Sequence, residues 1–400
     1  MNIDPFAPGS LEDPYELYAA LRDGEPVHRI AESDLWMVTR YADLVEAASK
    51  PDVFSSHISA VIYAGQGTAA VIQADPDAIG AVDVLATADP PDHTAQRKLM
   101  NRTFRHERIA ALEQIVRGFV EPALDDAIAA GTTDWMEAAA VPLPIVVIAD
   151  VLGMPATDLE DLRRWGDAGV DLLSGVATPE RMVECWQLMV AFLAYLKARL
   201  EDPAEGSVTA EIANAVATGG FSEREGVSLL LQLVIAGSES TASLIGSATL
   251  MLAEDHALQK ELRASPERIP TFLEEALRLE SPFRGHFRLT TEETTIGGVT
   301  IPEGARVMLM WGSANRDPHA FPDPERIDLE RDHPKAHVGF GSGIHFCLGA
   351  PLARMEAKIT LERLLARTSS FRLSGEGTSP RHVPSLFVRR LSELPLELDA

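Results

Sequence analysis

One stretch of the chain limits its possible folds more than any other. Across residues 226–253 the only charged residue is Glu239, and the stretch is long enough for a helix to cross a bilayer. It also contains five serines, two threonines and Gln232, and no cluster of basic residues flanks it. Ser222 and Glu225 form a capping-box pattern just before it. These features favour a helix buried inside a large water-soluble protein over a membrane span.

The composition agrees with a folded, soluble chain. Hydrophobic residues make up 46% of the 400 residues and charged residues 24%, which is ordinary for globular proteins. The formal net charge of −25 argues against nucleic acid or an anionic membrane as the main partner. No repeat, low-complexity tract or flexible linker divides the sequence, which predicts a single domain over residues 1–400.

The two cysteines, Cys185 and Cys347, are far apart in the sequence. Two cysteines cannot make a disulfide framework, and no CxxC pair indicates zinc. A reducing cytoplasm is therefore expected, although one Cys185–Cys347 bridge stays open as an alternative. The first residues have neither a basic start nor an apolar core, so neither a secretory leader nor a membrane anchor is expected.

Helical periodicity dominates the chain, with short strands near both ends. We expect strands around 27–30 and 35–39, strands within 286–310, and a final helix from about 348 to 366. Between them, residues 51–91 are predicted to form a long apolar loop. Such a loop is usually a lid or a binding segment, but its apolar side chains could equally pack on the core. The fold class is mainly α with small β-sheets.

A glycine-rich loop surrounds the second cysteine. Residues 339–349 carry three glycines before Cys347 and one after it, followed by a predicted helix with Pro351 in its first turn. Glycines allow main-chain amides to approach a ligand closely. The unpaired amides and the dipole of the following helix favour a thiolate, which is the form that binds metals. The alternative is a buried cysteine that acts as a small hydrophobe.

These residues resemble the haem-binding loop of cytochromes P450, FGxGxHxCxG, with Phe340, Gly341, His345, Cys347 and Gly349 at the matching positions. The resemblance implies the cytochrome P450 fold and haem b as cofactor, with the Cys347 thiolate as axial iron ligand. It also implies a haem-thiolate monooxygenase that inserts one oxygen atom of O2 into a hydrophobic small molecule. In such sites the thiolate favours cleavage of the O–O bond.

Two further segments resemble structural elements of that family. Glu275 and Arg278 match its ExxR element, and residues three apart on a helix can pair. The segment 321–326 resembles the one whose arginine completes this pair into a buried triad. The resemblance implies that Glu275, Arg278 and Arg326 form this triad and have structural roles.

Four basic residues are expected to bind the two haem propionates. His93 and Arg97 lie side by side on a predicted helix, in a segment that resembles the opening of a haem-contacting helix. Arg288 and His345 resemble the other propionate partners of the family. The alternative for each of the four residues is an ordinary surface charge.

Glu239 lies in the sequence Ala236-Gly237-Ser238-Glu239-Ser240-Thr241. Ala236 and Gly237 leave room for a flat ligand against the helix, and a carboxylate in an apolar helix suggests a function. The resemblance implies an acid followed by a threonine that supply protons during oxygen activation. Here the acid is Glu239 and the hydroxyl belongs to Ser240, with Thr241 as the alternative donor. The other interpretation is that these residues are ordinary polar groups of a packed helix.

The resemblance also implies redox partners, because the sequence contains no nucleotide-binding GxGxxG and no ferredoxin-like cysteine set. We expect electrons from a separate ferredoxin, reduced by an NAD(P)H-dependent ferredoxin reductase. An acidic ferredoxin would need a basic docking face, which makes reduction sensitive to salt. The candidates for that face are Arg97, Lys98, Arg102, Arg105, Arg108, Lys335, Arg354 and Lys358. A monomer is expected.

The substrate is indicated only by the apolar character of the candidate lining, which favours a terpenoid, steroid, aromatic or fatty compound. Arg284 and His286 either anchor a substrate carboxylate or are exposed. The candidate pocket residues are Ile62, Tyr63, Val71, Leu173, Val234, Ile235, Phe283, Phe287 and Phe387.

Two other functions fit the same loop. The first is a peroxygenase driven by hydrogen peroxide, and the second is a non-enzymatic haem or gas-binding protein. The adjacent Glu239 and Ser240 favour use of dioxygen over peroxide. No sequence feature indicates an output domain, which favours an enzyme over a sensor.

Overall fold

The computed structural model describes residues 4–30, 33–57, 60–63, 70–73, 81–375 and 380–400, with the backbone alone described for 60–63 and 70–73. The described chain is mainly helical. Its α-helices are α1 (Pro8–Glu12), α2 (Tyr15–Gly24), α3 (Tyr41–Ala48), α4 (Asp92–Thr103), α5 (His106–Ala111), α6 (Glu113–Ala130), α7 (Pro142–Leu152), α8 (Leu159–Leu173), α9 (Pro179–Glu201), α10 (Val208–Ala217), α11 (Glu223–Glu254), α12 (His256–Ala264), α13 (Ile269–Leu279), α14 (Trp311–Ala314) and α15 (Ala350–Arg367).

Short strands form small sheets beside the helices. The strands are β1 (Val27–Arg29), β2 (Leu35–Val38), β3 (Phe54–Ser55), β4 (Ala60–Tyr63), β5 (Ala70–Gln73), β6 (Thr132–Asp134), β7 (His286–Thr290), β8 (Thr294–Ile296), β9 (Val299–Ile301), β10 (Arg306–Leu309), β11 (Ser370–Leu373) and β12 (Pro395–Asp399). The largest sheet has the order β1-β2-β10-β7-β3, and a second has the order β11-β12-β6. The predicted class, mainly α with small β-sheets, is confirmed.

Helix α11 is the uncharged run of the sequence, and it lies in the interior. The Ser222 hydroxyl accepts a hydrogen bond from the Glu225 amide, and the Glu225 carboxylate accepts one from the Ser222 amide. The helix packs against α7, α8, α9 and α15. Among the described residues it is the one helix long and apolar enough to cross a membrane, and most of its apolar stretch is buried by protein.

The segment 51–91 differs from the predicted loop. It contains β3, the antiparallel hairpin of β4 and β5, and a 3₁₀ turn at Leu85–Thr87. The missed signal is the β-branched and aromatic content of 60–63 and 70–73, which favours strands. Ile62, Tyr63 and Val71 belong to this hairpin, and their side chains lie outside the described part of the chain.

Strand β7 presents alternate side chains to opposite faces of its sheet. It pairs antiparallel with β10, where His286 lies opposite Leu309 and Phe287 opposite Met308. Phe287 packs on the side of the apolar cluster that contains Tyr18 and Met308. His286 and Arg288 consequently share the other face, which is turned toward the helices.

A buried ion cluster ties α13 to the segment that leads to the cysteine loop. Arg278 Nε lies 2.8 Å from Glu275 Oε1, and both side chains are fully buried. The prediction that Arg326 completes the cluster is wrong, because Arg331 does so, with its Nε 2.9 Å from Glu275 Oε1. Residue 326 turns its backbone carbonyl inward to accept a hydrogen bond from Arg278, which leaves the Arg326 side chain exposed.

Candidate active site

A cavity lies between α11 and the cysteine loop. Its walls come from α11, α4, β7, the start of α14 and the first turns of α15. The polar residues that line it include His93, Arg97, Arg288, His345 and Cys347, so the structure brings together residues from distant parts of the sequence.

Cys347 lies at the end of a loop shaped by glycine conformations. Gly341 and Gly343 have φ values of 74° and 69°, a region that favours glycine. A side chain at Gly343 would also lie 2.5 Å from the Ala48 carbonyl oxygen. The Cys347 amide donates to the Phe340 carbonyl at 2.9 Å, which closes the loop and directs the sulfur toward the cavity.

The surroundings of the Cys347 thiol act in opposite directions on its pKa. Burial raises the pKa above its usual value, and this effect is the largest. The amides of Gly349 and Ala350 and the charge of Arg97 lower it, as expected for a ligand sulfur. Cys185 and Cys347 are both free thiols, so the alternative of a bridge between them is excluded.

Helix α11 contributes one small, partly polar face to the cavity. Ala236, Gly237, Ser240 and Thr241 all line it. The Ser240 hydroxyl donates back to the Ala236 carbonyl at 2.9 Å, one turn earlier. These residues therefore give the cavity a shallow wall with two hydroxyl groups.

Glu239 is not among the lining residues, and its buried carboxylate points to a separate ion cluster. Its Oε1 lies 2.8 Å from Arg390 Nε, in close contact but without hydrogen-bond alignment. Arg390 Nη2 also lies 3.9 Å from Asp167 Oδ1 on α8. Burial raises the pKa of Glu239 to about 7, while the Arg390 charge opposes the shift. Glu239 can therefore hold or release a proton near neutral pH.

The four basic residues predicted to bind propionates converge on one side of the cavity. The His93 and His345 rings are 4.5 Å apart, and Arg97 and Arg288 line the same wall. Burial lowers the pKa of Arg288 to about 10 and that of His345 to about 3. His345 Nε2 lies 2.8 Å from the Ser56 hydroxyl, whereas its buried Nδ1 has no partner.

These donors fit the group that the cysteine loop implies. Arg288 is buried and Arg97 is half-buried, and these two guanidinium groups beside an unpartnered imidazole nitrogen favour an anionic ligand. Haem carries two carboxylates. In the described part of the chain, no three His, Cys, Asp or Glu side chains form a metal cluster. A single axial cysteine with carboxylate-binding donors nearby matches haem better than a metal bound by side chains alone.

The structure divides the predicted pocket residues. Phe283 lines the cavity. The Phe387 ring packs against the Phe283 ring in a tilted arrangement, with ring centroids 4.9 Å apart. Val234 is fully buried in the core, and Ile235 packs against Gly169 of α8. Leu173, Val234, Ile235, Phe287 and Phe387 are not lining residues. Val234 and Ile235 pack in the main core, and Phe287 packs on the apolar cluster that contains Tyr18.

The sequence interpretation missed part of the lining. Leu85, Ile148, Leu244 and Trp311 contribute apolar surface, and Gln232 contributes a polar group. His286, one of the two residues proposed as a substrate anchor, also lines the cavity. Arg284, the other proposed anchor, is buried and donates to the carbonyls of Ser10 and Val388. The position of His286 follows from the alternation of side chains along β7, because His286 lies two residues before Arg288 on the same face of the strand.

Comparisons with known proteins agree with this site. A sequence model described as Cytochrome P450 matches residues 269–393. Cytochrome P450 144 of Mycobacterium tuberculosis is 38% identical over 396 residues, which cover 98% of this chain and 90% of that protein. The Vitamin D(3) 25-hydroxylase of Pseudonocardia autotrophica is 33% identical over 399 residues, which cover 99% and 96%. The solved structure of CYP109E1 from Bacillus megaterium has a TM-score of 0.85 at 29% identity and covers 98% of this chain and 99% of that chain.

The chain belongs to the cytochrome P450 family. Members of this family are haem-dependent monooxygenases, so the protein is an oxidoreductase. Its cofactor is haem b with a cysteine thiolate as axial ligand, and Cys347 is the cysteine that lines the cavity. The family also takes electrons from redox partners and acts on hydrophobic substrates.

Proposed function

We propose that this protein inserts one atom of O2 into a hydrophobic small organic molecule, using electrons from a separate ferredoxin. The second oxygen atom leaves as water, which consumes two electrons and two protons. The observation that carries the proposal is that Cys347, the four basic residues and the α11 residues Ala236, Gly237, Ser240 and Thr241 all line the same cavity. The bound haem would supply the activation of dioxygen.

The residues of the chain have separate tasks in this proposal. Cys347 holds the iron, and His93, Arg97, Arg288 and His345 bind the haem carboxylates. Ala236 and Gly237 leave space beside α11, because neither has a side chain larger than methyl. The apolar lining excludes water from the substrate and orients it through packing.

The proposed route for protons runs from Glu239 to Ser240. Glu239 is protonated about half the time near neutral pH because burial raises its pKa to about 7. Its neighbour Ser240 reaches the cavity, whereas Glu239 contacts Arg390 outside it. Release of the Arg390 contact would allow the carboxyl group to turn toward the hydroxyl. Thr241 also lines the cavity and is the alternative hydroxyl.

A ferredoxin, reduced in turn by an NAD(P)H-dependent reductase, is the proposed electron donor. Lys98, Arg102 and Lys335 are exposed, and no described residue forms an ion pair with them. Phe346, beside the cysteine, is 44% exposed and offers an apolar contact. Arg354 and Arg108 contribute less to such a face, because they pair with Glu274 and Glu211.

The relatives support a hydrophobic substrate. One is named a Vitamin D(3) 25-hydroxylase, and CYP109E1 was solved in complex with testosterone. Steroid-like, terpenoid, aromatic and fatty molecules all suit the apolar lining. We further propose that the protein acts as a monomer in the cytoplasm.

The absorption spectrum of the reduced protein with carbon monoxide tests the site. A strongly red-shifted Soret band that is lost in Cys347→Ala supports thiolate ligation, and a band unaffected by the substitution rejects it. Turnover is then measured with ferredoxin, its reductase and NAD(P)H under oxygen, and separately with hydrogen peroxide alone. Product labelled from ¹⁸O2 supports the proposal, while product formed only with peroxide identifies a peroxygenase.

A further inference from the structure

His286 is a polar side chain in the cavity that the proposed chemistry does not use. It begins β7 and lies on the same face as Arg288, opposite Leu309 of β10. Its ring lines the cavity. No described residue forms a hydrogen bond with Nε2, and this nitrogen is not among the atoms sealed inside the protein. The Nε2 atom is therefore available to a molecule in the cavity.

Trp311 determines which ring nitrogen of His286 carries the proton. The Trp311 Nε1–H group donates to His286 Nδ1 at 2.7 Å. An indole nitrogen can only donate, so Nδ1 must be the acceptor and the proton of the neutral ring must be on Nε2. A doubly protonated ring could not accept this bond. Burial and the Arg288 charge also lower the pKa of His286 to about 3, which keeps the ring neutral.

The surroundings hold the imidazole in place. The Phe283 and Phe387 rings lie 5.1 Å and 5.2 Å from it, centroid to centroid, in edge-to-face arrangements. Trp311 is almost fully buried at the start of α14, so the hydrogen bond to Nδ1 comes from a fixed group. The Nε2–H group is consequently a directed donor within an aromatic wall.

The other polar groups of the cavity point to the same ligand chemistry. Gln232 Oε1 accepts the Ala86 amide at 3.1 Å, which leaves the Gln232 amide nitrogen to donate. The Ser240 hydroxyl uses its proton on the Ala236 carbonyl. Glu356 is the one acid among the described lining residues, and burial raises its pKa well above the usual value, which keeps it neutral. The Gln232 amide and the His286 ring thus offer N–H donors, and the cavity presents no charged carboxylate to a cationic substrate.

We propose that His286 determines substrate specificity by donating its Nε2–H to an acceptor oxygen, such as that of a ketone, ester or carboxylate, on an otherwise apolar molecule. The inference rests on the proposed function, which makes this cavity the substrate-binding site, and it adds the class of substrate that binds there. Trp311 is a positioning residue, because it acts through the imidazole. A haem carboxylate is the other acceptor oxygen that His286 could reach, and the experiment separates the two.

The test compares binding of matched probes to the haem-loaded protein by equilibrium dialysis, which requires neither electrons nor oxygen. The pairs are phenylcyclohexanone with phenylcyclohexane, and androstanone with androstane. His286→Phe keeps a planar ring and removes the donor, while His286→Gln keeps an N–H donor. The rate of haem transfer to apomyoglobin is measured for each variant.

We expect His286→Phe to weaken ketone binding about tenfold, the effect of one lost hydrogen bond, with hydrocarbon affinity and haem loss unchanged. His286→Gln should restore part of the ketone affinity. Equal changes for ketone and hydrocarbon, or no binding of either pair to the wild type, would overturn the inference. Equal changes with faster haem loss would assign His286 to a haem carboxylate instead. Failure of turnover alone would affect the proposed function and leave this binding result intact.

Discussion

The guanidinium of Arg331 lies against the carboxylate of Glu275, with Nε 2.9 Å from Oε1, where both side chains are almost completely buried. Glu275 also pairs with Arg278, and the Asp328 amide donates to it at 2.9 Å. These contacts keep the pKa of Glu275 below its usual value despite burial. The cluster joins α13 to the segment before the cysteine loop, so it supports the position of Cys347.

Arg331→Met should therefore lower the stability of the protein strongly. Removal of one partner leaves buried charge without full compensation, which costs about 3 kcal/mol. Arg326→Met is the matched control, because the Arg326 side chain is exposed, and its effect should stay within about 0.5 kcal/mol. Urea denaturation followed by circular dichroism measures both. Equal midpoints for the two variants would contradict the assignment of Arg331 to the cluster.

Arg288→Met should accelerate haem loss. The buried guanidinium is expected to bind a haem carboxylate, and loss of a hydrogen bond to a charged group corresponds to about tenfold in affinity or more. The measurement is the rate of haem transfer to apomyoglobin. Arg102→Met, an exposed position on α4, is the control and should leave the rate unchanged. A wild-type rate in Arg288→Met would remove this residue from the haem site.

The features predicted correctly from the sequence are local ones. The Ser222 cap, the uncharged run of α11 and the glycines before Cys347 each act within a few residues, so their patterns are readable in one segment. The sequence could not show in this way that Arg331, and not Arg326, pairs with Glu275 in the buried cluster. It depends on which backbone carbonyl turns toward Arg278, a contact between segments distant in sequence.

The pocket residues also depend on contacts between distant segments, so the sequence alone does not determine them, with one exception. Ile235 and Val234 are apolar and near the cavity, yet the rotation of α11 against α8 sends them into the packing. That rotation follows from tertiary contacts. His286 is the exception, because the assignment of Arg288 to the cavity already implies that the residue two positions earlier shares its face.

Lys98→Glu combined with Arg102→Glu should slow reduction by an acidic ferredoxin. The two residues are four apart on α4, exposed, and so lie on one face of the helix. Reversal of two charges should lower the second-order rate roughly tenfold at low ionic strength, with the difference declining as salt is added. Stopped-flow reduction measures the rate. Arg164→Glu on α8 combined with Lys260→Glu on α12 reverses two exposed charges elsewhere and is the charge-matched control. An equal effect there would argue against docking at α4.

Glu239→Gln should slow turnover about 100-fold while haem content stays unchanged, because the proposed proton route loses its acid. The pKa of Glu239 is about 7, so its protonated fraction falls as pH rises through that value. The wild-type kcat should therefore decrease above pH 7, and Glu239→Gln should lack this decrease.

Ser238→Ala is the control for this pair, because the Ser238 hydroxyl donates to the Val234 carbonyl and does not line the cavity. Its kcat and pH profile should match the wild type. The amount of hydrogen peroxide released per NADH consumed gives a second readout. A slower supply of protons should divert reduced oxygen to peroxide, so this ratio should rise in Glu239→Gln. An unchanged kcat and pH profile in Glu239→Gln would mean that protons reach the cavity by a route that does not include this carboxyl group.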